Sequence, residues 1–532
     1  MMMKKFNLKY IGLFIAAAAV VSCEVEFDNP IDEAGVYTSG EADFSNYVSV
    51  GNSLTSGYAD GALYLDAQLK SFPAIMAGQM ELAGGGEFIQ PLVNDNAGGL
   101  LAGGVQILPN RFVLAVGANG SPAPAVYTGE APTTDITNTF TGKLNNYGVP
   151  GAKSFHLGAP GYGNIAGVAT GQANPYYVRF ASGGMSTVIG DAAAANPSFF
   201  TLWIGNNDIL SFATSGGIGV NQTGNFDPTS YGSNDITDPN VFAGAVSQYV
   251  TALTANGAKG ALVNIPDVTS IPFFTTVPFA PLSPANPDFA AQIPALNAQF
   301  GALNQAFAFL GVPERSITFS TTAASAVVIK DESLTDISAQ LTQVLIGGGF
   351  PAQQAALFGQ QYGQARQATE DDLLVFTSQT VIAQLNSTRF QELVGLGLDQ
   401  ATAGQLSVNG ITFPLEDQWV LTPTEQTAIS TAQTAYNSTL EALAAANDLA
   451  FVDARTALSQ VANGGVSFNG GVLTSTYATG GAFSLDGVHP TPRGYALTAN
   501  FIIDAINAKY DANVPKVNIG AYRSIQTSDS VN

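Results

Sequence analysis

The sequence is poor in charged residues, which make up 11% of its 532 residues. An average globular protein has roughly 25%. The 40 acidic residues outnumber the 18 Lys and Arg residues, so the formal net charge is −22. Nucleic acid is therefore not an expected partner, because phosphate contacts need clustered Lys and Arg side chains. Hydrophobic residues still make up 46% of the chain, which indicates a folded protein with a sizeable core rather than a disordered one.

Cysteine and histidine are nearly absent: the chain has one cysteine, Cys23, and two histidines, His156 and His489. A single cysteine excludes disulfide bonds within the chain, and so few Cys and His side chains leave no zinc site. Loops rich in Asn and Asp at 94–96 and 234–238 lack the fixed ligand spacing of a calcium loop and are interpreted as solvated turns. No glycine-rich loop with a lysine is present to cradle a phosphate. We therefore expect no metal and no cofactor.

Long hydrophobic runs are also missing, since no stretch approaches the roughly 20 apolar residues that a membrane-spanning helix needs. A run of 11 apolar residues at 11–21 follows three lysines, which is typical of a signal peptide and predicts one over residues 1–22. The run ends in Val20-Val21-Ser22-Cys23, which resembles the lipobox of bacterial lipoproteins. This resemblance implies that Cys23 carries lipid, palmitate included, and anchors the chain to a membrane. An ordinary signal peptide with a chance cysteine is the alternative.

Residues 23–44 are predicted to be a tether, because a Gly-, Ser- and acid-rich stretch follows Cys23. The acidic residues directly after Cys23 resemble the export signals of bacteria that display lipoproteins on the cell surface. The resemblance implies a cell-envelope location, as an outer-membrane lipoprotein on either its periplasmic or its surface face.

Short strand-like and longer helix-like segments alternate along residues 45–510. This alternation predicts an α/β domain with a mostly parallel sheet. The apolar patterns predict strands at 47–50, 199–204, 261–264 and 449–453. They predict helices at 63–82 and 241–256, a helix opening at the capping box Thr422-Pro423-Thr424-Glu425, and a last helix from about 490 to 510.

Two stretches interrupt the alternation. Residues 58–145 are Gly- and Ala-rich, which predicts loops and small hairpins beyond the one helix. Residues 270–420 hold a proline-rich loop, then several helices and a short strand near 372–375. We predict one domain over 45–510 that carries both stretches as insertions, followed by a C-terminal tail at 511–532.

Three short motifs place polar groups at the predicted crevice of the sheet. Ser53, in Gly51-Asn52-Ser53, directly follows the first strand, where α/β enzymes bind their ligands. Gly151 could offer an unobstructed backbone N–H. Asn207, in Gly205-Asn206-Asn207-Asp208, follows the second strand and could direct its side-chain amide to the same crevice. Each motif alone is explained equally well by an ordinary turn.

A fourth motif, Asp486-Gly487-Val488-His489, precedes the last predicted helix. A serine hydroxyl is a poor nucleophile unless a neighbouring base takes its proton, and histidine suits that role near neutral pH. An acid three residues before the histidine can reach its other ring nitrogen and fix the tautomer. Taken alone, the motif describes a surface turn. The other histidine, His156, is interpreted as a hydrogen-bonded structural residue.

Together and in this order, the four motifs resemble those of the SGNH hydrolases, also called GDSL-like lipases and acylhydrolases. The resemblance covers 45–510 in outline, without the insertions, and implies a three-layer α/β/α fold. The segment Asn264-Ile265-Pro266-Asp267 also resembles one that follows a strand in that family. Asn52 departs from the aspartate in the family's name, at a position outside the triad.

The resemblance implies a role for each motif residue. Ser53 is the expected nucleophile, His489 its base and Asp486 the acid that orients the base. Gly151, Asn207 and the backbone of Ser53 are the expected oxyanion hole.

The implied activity is ester hydrolysis through an acyl-enzyme, on fatty-acyl esters or on acetyl groups of polysaccharide. The 32 Phe against two Trp favour acyl chains slightly. We expect residues 270–420 to form a helical lobe beside the crevice that shields an acyl chain. Packing of the lobe as extra core or against a partner is the alternative. A different class of function also stays open: a non-catalytic scaffold that serves as a binding or structural subunit of an outer-membrane protein assembly.

Overall fold

A computed structural model describes residues 36–116 and 122–526. The predicted signal peptide, the lipidation residue Cys23 and the first part of the tether lie outside the described residues. The described strands are β1 (Tyr47–Gly51), β2 (Leu100–Ala102), β3 (Val105–Leu108), β4 (Phe112–Val116), β5 (Pro122–Val126), β6 (Asn146–Gly148), β7 (Phe199–Trp203), β8 (Lys259–Val263), β9 (Val328–Lys330), β10 (Ala365–Gln367), β11 (Leu373–Leu374), β12 (Val420–Leu421), β13 (Ala450–Val452), β14 (Val466–Phe468) and β15 (Gly471–Leu473).

Helices connect these strands and make up most of the second insertion. The described α-helices are α1 (Ser53–Ser56), α2 (Leu65–Gln68), α3 (Phe72–Glu81), α4 (Pro175–Val178), α5 (Val188–Ala194), α6 (Asn207–Thr214), α7 (Pro239–Thr254), α8 (Pro272–Thr275), α9 (Pro287–Ala290), α10 (Ile293–Phe309), α11 (Ser338–Gly347), α12 (Ala352–Tyr362), α13 (Ser387–Gly395), α14 (Gln400–Gln405), α15 (Pro423–Ala446), α16 (Ala454–Asn463) and α17 (Pro492–Tyr510). In the described part of the chain, none of them combines the length and the hydropathy needed to cross a membrane.

The centre of the fold is a five-stranded sheet in the order β13-β8-β7-β1-β6, and all of its pairings are parallel. The predicted α/β class with a parallel sheet is confirmed. Each predicted strand is present to within a few residues. The sequence pattern missed β6, the edge strand, whose residues Asn146, Tyr147 and Gly148 lack an apolar run.

Both faces of this sheet are covered by helices. Alternate residues of the strands point to opposite sides: Val48 and Leu202 pack into one core, whereas Phe199 and Trp203 pack into another. Helices α7 and α15 pack against each other on the first side, and α3 and α17 on the second. The carboxyl ends of the strands therefore meet at an edge where the connecting loops form a crevice.

Local signals set the ends of the helices. The capping box predicted at α15 is present, because the backbone N–H and the hydroxyl of Thr422 both donate to Glu425, at 2.7 and 2.8 Å. In α17 the Thr491 side chain caps the first turn. The helix predicted over 63–82 is instead two helices, α2 and α3, because Ser71 caps a new helix that has Pro73 in its first turn.

The two predicted insertions differ in construction. The first contains the antiparallel ribbons β2–β3 and β4–β5. The second forms a lobe with its own hydrophobic core, to which α10, α11 and α12 contribute. The strand predicted near 372–375 is β11, and it pairs with β12 antiparallel instead of joining the central sheet.

The described part of the C-terminal tail lies against the domain. The backbone N–H and carbonyl of Val517 bond the Asn500 side chain of α17. Farther along, Arg523 forms an ion pair with Asp66 at 2.6 Å.

Candidate active site

Ser53 is the first residue of α1, immediately after strand β1 of the central sheet. Asn52 caps this helix, since its side chain accepts a hydrogen bond from the Leu54 N–H at 3.0 Å. Gly51 is required before the turn because a Cβ there would collide with the Trp203 carbonyl oxygen. The tight turn places the Ser53 side chain at the carboxyl edge of the sheet, with 6% of the residue exposed.

His489 and Asp486 meet Ser53 at this edge. The His489 Nε2 atom lies 2.9 Å from the Ser53 Oγ atom, and the His489 Nδ1 atom lies 2.8 Å from an Asp486 oxygen. The structure thus brings together the three side chains that the sequence places at opposite ends of the chain. This order of hydroxyl, imidazole and carboxylate is the geometry in which a histidine can take a proton from a serine.

The Asp486 carboxylate is surrounded by donors. One oxygen accepts from the backbone N–H groups of Val488 and His489 at 2.9 Å and from the Ser484 hydroxyl at 3.0 Å. The other accepts from the Gly61 N–H at 2.9 Å. Burial opposes ionisation, but the charge of His489 and these hydrogen bonds outweigh it and lower the pKa of Asp486 to about 2. The group is therefore a fixed anion facing the imidazole.

A second carboxyl group, Asp60, supports the loop that carries Asp486. Its side chain accepts from the Leu485 N–H at 3.0 Å and from the Tyr64 hydroxyl at 2.7 Å, and its own N–H donates to the Ser484 hydroxyl. Burial raises the pKa of Asp60 above its ordinary value. The φ of Asp60 is +53°, an uncommon backbone conformation for a residue with a side chain. Sequence reasoning missed Asp60, because it lies in an insertion predicted to be loops.

Tyr58 covers one side of the His489 ring. The centroids of the Tyr58 and His489 rings are 4.7 Å apart, with the planes tilted by 51°. The Tyr495 hydroxyl donates to the Tyr58 backbone carbonyl at 2.7 Å, so α17 holds this segment in place. The contact limits the movement of the imidazole.

The predicted oxyanion-hole residues lie on neighbouring loops. Asn207 begins α6, and its side-chain amide donates to the Ala152 carbonyl at 2.9 Å. Gly151, the residue before Ala152, has a φ of +78° and open space where a side chain would be. Within the described residues, the backbone N–H groups of Ser53 and Gly151 donate to no protein acceptor. Ser53 and Asn207 line one cavity, whereas Gly151 is not part of its lining.

Asp208 joins the two loops of the expected oxyanion hole. Its buried carboxyl accepts from the N–H and the hydroxyl of Ser154, at 2.8 and 2.6 Å. Burial raises the pKa of Asp208 above its ordinary value. This contact fixes the segment that follows Gly151 against the start of α6.

His156 is a structural residue, as the sequence suggested. Its Nδ1 atom accepts from the Lys153 N–H at 3.1 Å, and its ring stacks on Tyr162 with the centroids 4.7 Å apart. Burial, followed by the charge of Lys153, lowers the pKa of His156 to about 4. The ring is therefore neutral near neutral pH.

A large apolar cavity adjoins Ser53 and His489, with about 970 Å³ of empty space that includes open solvent. Of the stretch 270–420, only Ile271 lines it. The lobe therefore contributes almost nothing to the lining of this cavity, and the shielding of an acyl chain by the lobe stays a prediction. Its apolar lining comes mainly from the strand ends, α16 and α17, and includes Leu54, Trp203, Val263, Val268, Val452, Ala454, Ala457, Leu458, Val461, Val488, Leu497, Phe501 and Ile502.

Three acidic side chains meet where the lobe joins the main domain. Carboxylate oxygens of Glu332, Asp417 and Glu425 lie within 4.8 Å of one another, a spacing that could hold a cation. Burial, and next the charge of Glu332, raises the pKa of Asp417 to about 6. Burial also raises the pKa of Glu425 well above its ordinary value.

No protein-family model, no curated protein and no solved structure matches this chain. Any assignment of function therefore depends on the chemistry of the site itself.

Proposed function

We propose that this chain is a serine ester hydrolase of the SGNH type, with Ser53 as nucleophile, His489 as base and Asp486 as the orienting acid. One observation carries the proposal: the hydrogen-bonded series from the Ser53 hydroxyl through the His489 ring to the Asp486 carboxylate. Support also comes from the four motifs, which follow the order of that family, and from the central parallel sheet.

The reaction has two half-reactions. His489 takes the proton of the Ser53 hydroxyl as its oxygen attacks the ester carbonyl, and then gives that proton to the departing alcohol. Water next attacks the acyl-enzyme while His489 takes a proton from it, and His489 returns this proton to the Ser53 oxygen as the bond to the acyl group breaks and the carboxylic acid leaves. Asp486 keeps the proton of the imidazole on the nitrogen that faces it, so that the other nitrogen is free to accept.

The oxyanion of each tetrahedral intermediate needs donors beside Ser53. The N–H groups of Ser53 and Gly151 and the amide of Asn207 supply them in this proposal. The amide is held in place by its hydrogen bond to Ala152, so it needs little reorganisation during the reaction. One such donor is typically worth ~3 kcal/mol of the barrier.

The test is covalent labelling with a fluorophosphonate probe, which reacts with activated serines. The wild-type protein should be labelled and Ser53→Ala should not. Ser56→Ala is the matched control, because Ser56 lies in the same helical turn and its hydroxyl only donates to the Ser53 carbonyl. An unlabelled wild-type protein would instead favour the non-catalytic scaffold, a binding or structural subunit of an outer-membrane assembly.

We also propose that Cys23 anchors the protein to the cell envelope through lipid. The support is the sequence Val20-Val21-Ser22-Cys23 after a signal-peptide pattern. Cys23→Ala should move the protein from the membrane fraction to the soluble fraction or block its maturation. The reason is that Cys23 is the proposed attachment site of the acyl chains that stable anchoring needs. Wild-type protein that never incorporates radiolabelled palmitate would disprove the anchor.

A further inference from the structure

We propose that the apolar cavity beside Ser53 binds the acyl chain of the substrate, and that the preferred substrates are esters of straight-chain fatty acids of medium length. This inference rests on the proposed function, which places the ester carbonyl at Ser53. It selects one of the two substrate classes left open by the sequence, fatty-acyl esters over acetylated polysaccharide.

The cavity begins at the catalytic residues and follows the carboxyl edge of the sheet. Its lining includes Ser53 after β1, Trp203 at the end of β7, Val263 at the end of β8 and Val452 at the end of β13. These strands are consecutive in the sheet. Three strand spacings of about 4.8 Å make the path roughly 14 Å long. An extended hydrocarbon advances roughly 1.3 Å per carbon, because its bonds of about 1.5 Å zigzag, so the path accommodates about ten carbons.

The chemistry of the walls suits a hydrocarbon and not a sugar. Among the polar groups of the lining, the Asn52 amide donates to the Asn206 side-chain oxygen at 3.2 Å. The Trp203 Nε1–H donates to the Asn264 carbonyl and the Thr498 hydroxyl to the Gly494 carbonyl, both at 3.1 Å. Because these donors already have acceptors, the walls offer few groups to the hydroxyls of a glycan.

Helix α16 forms one wall of the cavity. It is buried only at Ala454 and Val461, and Ala457 and Leu458 also face the cavity from this helix. Gln460 lies on the flank of this side, does not line the cavity and is exposed to solvent. The apolar side of this helix faces an apolar cavity. A hydrocarbon bound in the cavity would be shielded from water by this side of the helix, which explains why the helix is amphipathic.

Hydrolysis of p-nitrophenyl esters from acetate to palmitate tests the inference. In the wild-type protein, kcat/KM should rise about fourfold per added methylene, which corresponds to ~0.8 kcal/mol for each buried CH₂, and should level off near decanoate. Ala457→Phe fills the cavity and should lower kcat/KM for decanoate at least about tenfold more than kcat/KM for acetate. Gln460→Phe adds the same ring at an exposed position of α16 and should leave the profile unchanged.

Direct binding separates this inference from the proposed function. Terminally brominated decanoic acid should quench Trp203 fluorescence in Ser53→Ala protein, because Trp203 lines the cavity. The second variant, Ser53→Ala with Ala457→Phe, should lose the quenching. Quenching without hydrolysis of any ester would reject the proposed function and keep the acyl site. Hydrolysis that is fastest with acetate, together with no quenching, would reject the acyl site and keep the hydrolase.

Discussion

Asp486 shows how much of the site depends on single side chains. It accepts hydrogen bonds from its own loop and from Gly61 in the first insertion. Although burial opposes ionisation, the charge of His489 and the hydrogen bonds from His489 and Val488 lower the pKa of Asp486 to about 2. In the proposed mechanism, a carboxylate held in this way orients His489 and stabilises the imidazolium that forms when Ser53 gives up its proton. The same hydrogen-bond donors would stabilise a neutral side chain at position 486 less than they stabilise the carboxylate.

Asp486→Asn should therefore lower kcat by about 10⁴-fold with little change in KM, since an amide favours the wrong tautomer of His489. Steady-state kinetics with p-nitrophenyl butyrate measures the effect, and thermal unfolding shows whether the variant is folded. Asp448→Asn, at an exposed surface position, is the control and should keep full activity. A loss of less than about tenfold in folded Asp486→Asn would contradict the role of this residue in the triad.

At the scale of secondary structure, sequence signals predicted the elements that have strong local patterns. The strands β7 and β8 are largely apolar, and Gly205 and Pro266 follow shortly after their last residues. Helix α15 opens with a capping box. The positions of these three elements therefore follow from the local sequence alone. The edge strand β6 is polar, and its pairing with β1 comes from tertiary contacts. The pattern at 63–82 predicted a single helix because the apolar spacing continues across Ser71. In the structure the Ser71 side chain caps the start of a second helix.

The capping box of α15 gives a prediction at this scale. Thr422→Ala should lower the free energy of unfolding by about 1 kcal/mol, the typical loss for removal of a helix cap. Urea denaturation measures this change. Thr427→Ala removes an exposed threonine from the same helix and should change stability much less. Equal effects of the two substitutions would show that the Thr422 hydroxyl has no special role.

The active site was predictable in part. The motifs gave Ser53, Asp486 and His489 because each residue stands beside a strand end or a helix start. The supporting residues Asp60, Gly61 and Ser484 could not be found in this way, because their contacts join segments more than 400 positions apart. The lining of the cavity could not be found for the same reason: α16 and α17 are unremarkable as sequences and line it only after the sheet has formed.

At the scale of the whole molecule, the lobe and the main domain meet at a group of acidic side chains. Glu332 and Asp417 come from the lobe, and Glu425 belongs to the first turn of α15. Burial raises the pKa of Asp417 and of Glu425, so the folded state holds protons that the unfolded state would release. The stability of this junction is therefore linked to pH.

The sign of this linkage gives a prediction. Carboxyl groups with raised pKa values contribute their full stability below pH ~4, and this contribution is lost as the pH rises through about 6, the pKa of Asp417, and beyond. Unfolding measured between pH 5 and 9 should show a decrease on the order of 1–2 kcal/mol from this site. Glu425→Gln should reduce the decrease, whereas Glu416→Gln, at an exposed neighbouring position, should keep it. If Glu425→Gln lost as much stability between pH 5 and 9 as the wild type does, the linkage would be contradicted.

The hydrogen bond between Ser53 and His489 spans 436 positions of the chain. A ribosome adds about 5–20 residues per second, so the nucleophile is synthesised roughly 20 to 90 s before its base. During that interval the growing polypeptide cannot attack esters in the compartment where it is made. The proposed hydrolase therefore gains its activity only after the last helix has been completed and folded onto the sheet.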